Sequence, residues 1–283
     1  MKIVLGGIRG SFPIAQAGYV QYGGETTSVL IEGRQGERVL IDLGTGVRSL
    51  GERLQKEKTC AALVLLTHYH LDHIIGLPSL PLIYRRKCRV EFAAPVRNGR
   101  TIDEVLPRLL ADPFWPLQLH TLDSDIVFTT LAEDGLSRPR EYGGLVIRWA
   151  PVHHQAGCTA YRIDEPASGA SMVFATDVEW PLSTPQERER FMRLMETPKP
   201  ARALFFDGHF TPEEYPDFTD WGHSSWQDAV EVALDSGAGH LYVIHHSQYH
   251  DDAALARIDA AVRRAHPDAE VAREGSEIEP VPA

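Results

Sequence analysis

The segment His68-Tyr69-His70-Leu71-Asp72-His73 puts three imidazoles and one carboxylate into six residues. Neutral imidazole and carboxylate are the usual ligands of zinc and similar divalent metals. The apolar run Ala61-Ala62-Leu63-Val64-Leu65-Leu66 comes just before it. A strand that stops and spills into such a cluster sets its ligands at the carboxyl end of a sheet, where α/β folds tend to hold their sites. The alternative is a polar surface turn rich in histidine by coincidence. Four ligand-type side chains at this spacing seldom meet that way without a metal.

A metal pair needs ligands from elsewhere in the chain, and they recur at strand ends. His153-His154 follow a strand-like run at 145–150, Asp177 follows one at 171–175, and His245-His246 follow one at 240–244. The chain has 13 histidines, so each position alone is weak evidence; the repeated placement after a strand gives the set its weight. Neighbours on an extended segment point to opposite sides, so either His153 or His154, and either His245 or His246, can face the site.

The elements that must position these residues are legible from periodicity. Strand-like runs also occur at 2–5, 27–32, 38–42, 61–66, 89–93, 158–163 and 202–206, and helical patterns at 46–57, 101–111, 185–196, 224–236 and 251–265. Gly44 and Gly46 punctuate the turn after the 38–42 strand. Ser183-Thr184-Pro185 supplies a cap and a first-turn proline, and Ser224 or Ser225 can cap the next helix. This order suits an α/β chain with two sheets face to face and helices outside. The stretch 95–140 is the least regular. Its Asp112-Pro113-Phe114-Trp115-Pro116-Leu117 suits a loop, either a packed surface loop or a substrate wall.

Composition narrows the function classes. The hydrophobic fraction of 43% is enough for a substantial core. Acidic residues outnumber basic ones 39 to 28, a formal charge of -11, which argues against duplex-DNA binding. A small anionic substrate is compatible, because a metal pair supplies local positive charge. Cys60, Cys88 and Cys158 are scattered and odd in number, which argues against a disulfide framework or a cysteine-rich zinc site. The start MKIVLGGIRG has no long apolar stretch, and no run approaches a membrane span, so no membrane association and cytoplasmic residence are expected.

His68-Tyr69-His70-Leu71-Asp72-His73, followed in order by His154, Asp177 and His245, resembles the metallo-β-lactamase superfamily. The resemblance covers almost the whole chain. Gly7-Ile8-Arg9-Gly10-Ser11-Phe12-Pro13, Tyr22-Gly23-Gly24-Glu25-Thr26-Thr27-Ser28, Ile41-Asp42-Leu43-Gly44-Thr45-Gly46 and Trp221-Gly222-His223-Ser224-Ser225 are similar to its phosphodiesterase and ribonuclease Z-like branch. The resemblance implies a four-layer αββα metallo-β-lactamase sandwich, with residues 1–283 as a single domain. It implies two divalent metal ions, zinc first, with manganese or iron(II) also suited to these ligands. His68, His70 and His154 would hold one ion, and Asp72, His73 and His245 the other. Asp177 would bridge the two, and Asp72 would also orient the attacking hydroxide. Such a pair, ~3.5–4 Å apart, can share a hydroxide and clamp the attacking and leaving oxygens of a phosphoryl transfer.

The resemblance also selects His154 over His153, because the matching family stretch starts at its ligand, and by the same logic His245 over His246. Gln155-Ala156 depart from the Pro-Gly usual there, which leaves the shape of that loop open. His223, in a turn at a helix start, would contact the scissile phosphate or protonate the leaving oxygen; the plainer alternative is a capping or packing histidine. Asp42 would hydrogen-bond a metal-bound histidine, and Arg9 would hold a buried network. His120, His240 and His266 read as ordinary residues, and His209 and His250 as polar loop residues without an assigned role.

The function implied is hydrolysis of a small or cyclic nucleotide-like phosphodiester. Alternatives are a ribonuclease Z-like RNA-processing nuclease, an acyl or lactam hydrolase, and a non-catalytic member that kept the fold. The acidic charge and the lack of a Gly- and Lys-rich arm tell against the nuclease. Members of the family often form homodimers, which is the expectation for oligomeric state.

Overall fold

Strands that are apolar on both faces need cover on both faces, and that requirement sets the layers of this chain. The structure, a computed structural model, describes residues 1–280. Its strands are β1 (Lys2–Gly7), β2 (Ser28–Glu32), β3 (Arg38–Ile41), β4 (Ala61–Leu65), β5 (Arg89–Pro95), β6 (Asp125–Leu131), β7 (Arg140–Tyr142), β8 (Leu145–Val152), β9 (Cys158–Glu165), β10 (Ala170–Ala175), β11 (Ala203–Asp207), β12 (Leu241–Ile244), β13 (Ala269–Val271) and β14 (Glu277–Ile278). Its α-helices are α1 (Val47–Lys56), α2 (Leu71–Ile74), α3 (Ile102–Leu109), α4 (Pro185–Glu196), α5 (Trp226–Ser236) and α6 (Asp252–Ala265).

One sheet has the order β14-β1-β2-β3-β4-β5-β6 and the other β13-β12-β11-β10-β9-β8-β7. Alternate residues of single strands join different cores. Val39, Ile41, Leu63 and Leu65 meet Met172, Phe174, Ala203 and Phe205 between the sheets. Leu40, Ala62 and Val64 instead pack outward against Val47, Leu50 and Leu54 of α1 and Ile102 and Leu106 of α3. On the other side, Val173, Ala175, Leu204 and Phe206 pack against α4, α5 and α6. The result is the expected αββα sandwich.

Strand direction then fixes where the loops gather. β3, β4, β5 and β6 run parallel, as do β10, β11, β12 and β13. β8 runs with β10, because each is antiparallel to β9. The carboxyl ends of β3, β4, β8, β10, β11 and β12 therefore deliver the residues of the candidate site. Helices α4, α5 and α6 begin on side-chain caps: Thr184 accepts from the Glu187 amide, Ser225 from Asp228 and Asp251 from Ala254.

Two expectations need correction. Cys60 and Cys88 form a disulfide. They immediately precede β4 and β5, and Ala61 is in register with Arg89, so a return crossover brings cysteines 28 residues apart in sequence to a Cα separation of 4.4 Å. The stretch 95–140 is also more regular than expected, since it holds β6 at the sheet edge. The half-buried, mixed sequence Asp-Ile-Val-Phe-Thr-Thr-Leu of β6 lacks the strong apolar signal of the central strands. In the 112–117 loop, Trp115 packs on the outer core of the first sheet while Phe114 is exposed.

Phe191 of α4 is fully buried, with ring centroids 5.5 Å from Trp180 and 5.6 Å from Phe206. Phe191→Ala should lower unfolding free energy by about 3–5 kcal/mol. Urea denaturation with an unchanged m-value checks this.

Candidate metal centre

Asp42, Asp177 and His245 lie just past the ends of β3, β10 and β12 and have positive φ of 60°, 53° and 62°. A left-handed backbone costs a residue with a Cβ roughly 1–2 kcal/mol, and it persists where the surroundings impose it. The three side chains converge with the segment after β4. There α2 is a single turn that carries Asp72 and His73, and His70 is its N-cap residue.

Two groups form around one carboxylate. Ligand-type atoms of His68, His70, His154 and Asp177 lie within 4.8 Å of one another, as do those of Asp72, His73 and His245. Asp177 sits between the groups. Its Oδ1 is 3.7 Å from His68 Nε2, 3.8 Å from His154 Nε2 and 3.4 Å from His245 Nε2, and its Oδ2 is 3.1 Å from His73 Nε2.

The far nitrogen of each buried imidazole is occupied. His73 Nδ1 donates to Asp42 Oδ2 at 2.8 Å, and His154 Nδ1 donates to the Gly222 carbonyl at 2.9 Å. A carbonyl only accepts, so His154 carries its proton on Nδ1 and presents a lone pair at Nε2. His245 Nδ1 meets the Thr176 hydroxyl at 2.9 Å, and His68 Nδ1 meets Thr67 at 3.1 Å. Buried Nε2 atoms of His68, His73 and His245 are left without a hydrogen-bond partner. Burial pushes the His154 pKa down to about 4 and holds His68 and His245 below the ordinary histidine value. Those are neutral imidazoles, the form that binds metal ions.

A second unit adjoins the first. His223 Nδ1 is 3.0 Å from Asp207 Oδ2 and 4.0 Å from Asp177 Oδ1. Asp207 in turn accepts from the backbone amides of Asp177, His209 and Ser224. Burial opposes a charged His223, yet the carboxylates of Asp207, Asp177 and Asp72 outweigh it and raise its pKa. The His209 ring stacks on His223 at 4.4 Å, and its Nδ1 donates to the His245 carbonyl at 2.8 Å. A cavity of about 400 Å³ opens beside His209 and His223.

The surrounding loops are tied to these groups. Glu179 accepts from the Tyr215 hydroxyl and from the amides of Asp220 and Gly222, which holds the Gly222 carbonyl under His154. Gly222 has φ 88°, and a Cβ there would run into the His154 ring. A Cβ on Gly10 would likewise strike the His245 ring.

The tertiary structure separates the adjacent histidines. His154 and His245 are in the cluster. His153 is half-buried, with Nδ1 3.3 Å from Glu187, and His246 Nε2 donates to the Ala272 carbonyl at 3.2 Å. Arg9 is buried and donates to the carbonyls of Gly23, Ser247 and His250. His250 pairs with Glu214, and His240 lies beside Glu270, both apart from the cluster. Asp207, Glu179 and His209 gained no role from the sequence. Asp207 had a readable signal, because it ends a strand next to the one that precedes Asp177.

Among the described residues no helix is long and apolar enough to cross a membrane. The family model described as "Beta-lactamase superfamily domain" matches residues 37–246. Ribonuclease BN of Cronobacter sakazakii is 25% identical, covering 83% of this chain and 87% of that protein. Ribonuclease Z of Clostridium tetani is 28% identical over 48% of this chain, and the match spans only 44% of that protein. The fold is similar to that of Bacillus subtilis YhfI, with a TM-score of 0.69 at 19% identity and 98% of each chain covered. It is also similar to the short form of human tRNase Z, with a TM-score of 0.69 at 16% identity and 100% of each chain covered. A diphosphatase of the PhnP family gives a TM-score of 0.70 at 21% identity, covering 98% of this chain and 97% of that one. With its two sheets, its outer helices and a family match over most of its length, the chain belongs to the beta-lactamase superfamily and has the metallo-β-lactamase fold.

Proposed function

We propose that this protein is a metal-dependent phosphodiesterase that acts on small phosphodiesters. The observation that carries the reading is the set of buried, unpartnered Nε2 atoms of His68, His73 and His245 around the shared Asp177 carboxylate. Buried polar atoms normally find partners. A proton on His73 would satisfy one of them and leave the other two orphaned, whereas cations between the groups would satisfy all three. The donor set of imidazole and carboxylate fits zinc, manganese or iron(II). His68, His70 and His154 would hold one ion, Asp72, His73 and His245 the second, and Asp177 both. Ions there would supply Lewis acidity toward a phosphoryl oxygen and acidify a coordinated water towards neutral pH.

The protein's own groups supply orientation and a proton. Asp42, Thr67, Thr176 and the Gly222 carbonyl fix which imidazole nitrogen faces the site. Asp207 holds His223 by Nδ1, so Nε2 is the nitrogen left to meet a substrate in the cavity that His223 lines. From there it can donate a hydrogen bond to a phosphoryl oxygen or a proton to the leaving oxygen. The relatives named as ribonucleases and the diphosphatase of similar fold all cleave at phosphorus, which supports the reaction class.

The 83% coverage by a ribonuclease favours a second reading, cleavage of RNA. The net charge of -11 works against a long RNA-binding path. Comparing precursor tRNA with bis(p-nitrophenyl) phosphate as substrates decides between them.

His68→Ala and Asp177→Ala should each abolish hydrolysis of bis(p-nitrophenyl) phosphate and reduce bound metal by elemental analysis. Activity near wild type in either variant overturns the mechanism. His223→Ala should lower turnover about 10²–10⁴-fold with metal content retained, and Asp207→Asn should lower it by less. Loss of metal in His223→Ala would make His223 a ligand.

A further inference from the structure

The cavity beside the centre has walls that say more about its occupant. Phe218 stacks on Phe210 at 4.8 Å and meets Trp221 edge to face at 5.3 Å. Trp221 is 61% exposed and Tyr249 80% exposed, although both line the cavity. Aromatic rings left open beside a cavity offer stacking faces that the fold itself does not use. The same cavity reaches His223, whose Nδ1 is 4.0 Å from Asp177, so a substituent on a phosphate held at the cluster extends into it.

Charge restricts the occupant further. The described lining residues include no lysine or arginine, and they include the carboxylate of Glu214. Burial alone would raise the Glu214 pKa, but the Thr211 amide and His250 hold it below the ordinary value, so this wall is anionic at neutral pH. A second phosphate or a neighbouring nucleotide would meet no lysine or arginine there, and His223 is the group left to face the first phosphate. The volume of about 400 Å³ lies in the range of small-molecule sites.

We propose that this cavity binds one flat aromatic substituent of the phosphodiester, a nucleobase or aryl ring, against Trp221 and Tyr249. The proposal rests on the phosphodiesterase reading for the placement of the phosphate. It names Trp221 and Tyr249 as specificity-determining residues.

The test keeps p-nitrophenolate as the leaving group and varies the retained group of the diester between methyl, phenyl and thymidine-5′. Each kcat/KM is normalised to the spontaneous hydroxide rate of that ester. Stacking gains of the usual size predict roughly a five- to hundredfold preference for phenyl or thymidine over methyl. The preference should collapse towards unity in Trp221→Ala and weaken in Tyr249→Ala, and Trp221→Phe should restore much of it. Equal normalised rates in the wild type overturn the proposal, as does a preference that both alanine variants keep. If no ester is hydrolysed, the phosphodiesterase reading fails, and binding decides the cavity separately. Phenylphosphonate should then quench tryptophan fluorescence at lower concentration than methylphosphonate, with the difference lost in Trp221→Ala. Equal quenching by the two phosphonates overturns the proposal on that arm.

Discussion

A buried carboxylate surrounded by imidazole nitrogens is the interaction on which this structure turns. Asp177 lies within 4 Å of nitrogens from His68, His73, His154, His223 and His245, which come from four separate segments. Carboxylates and lone pairs placed so closely in a low-dielectric interior are costly unless positive charge stands among them. The fold holds them there through positive-φ turns at Asp42, Asp177 and His245. Local strain at those turns is tolerated because the strands that lead into them, β3, β10 and β12, are each paired on both edges, which fixes the backbone entering each turn.

The sandwich converts strand direction into chemistry. Parallel strands end on the same edge, and both sheets turn their parallel halves towards one another's carboxyl ends. Short segments past β3, β4, β8, β10 and β12 then supply the candidate ligands and Asp42, and the longer loop between β11 and α5 brings in His223. Around it, Glu179 and Asp207 anchor backbone amides of the loop between β11 and α5. That loop therefore positions three things at once: the Gly222 carbonyl under His154, the His223 ring against Asp207, and the aromatic wall formed by Phe218 and Trp221.

Much of this was legible beforehand. The apolar central strands were readable because burial on both faces demands continuous hydrophobic runs, and α4 was readable because its cap and first-turn proline are local. The edge strand β6 was not, since a half-buried strand carries a diluted pattern. The Cys60–Cys88 bond was hidden because pairing depends on the register of β4 against β5, a relation that spacing along the chain does not encode. His209 went unassigned for a similar reason: its ring contacts His223 and a carbonyl of His245, both remote in sequence.

By itself the sequence determined the candidate ligand types, their order and their position after strands, because those follow from residue chemistry and from hydrophobic periodicity. Strand periodicity left open which of His153 or His154, and of His245 or His246, enters the cluster; the family resemblance selected His154 and His245, and the tertiary structure brings those two there. It also decided that Asp207 holds His223 and that an aromatic cavity adjoins them. The physical reason is that side-chain direction at a strand end is set by backbone turns and by distant hydrogen-bond partners, which exist only once the two sheets have packed.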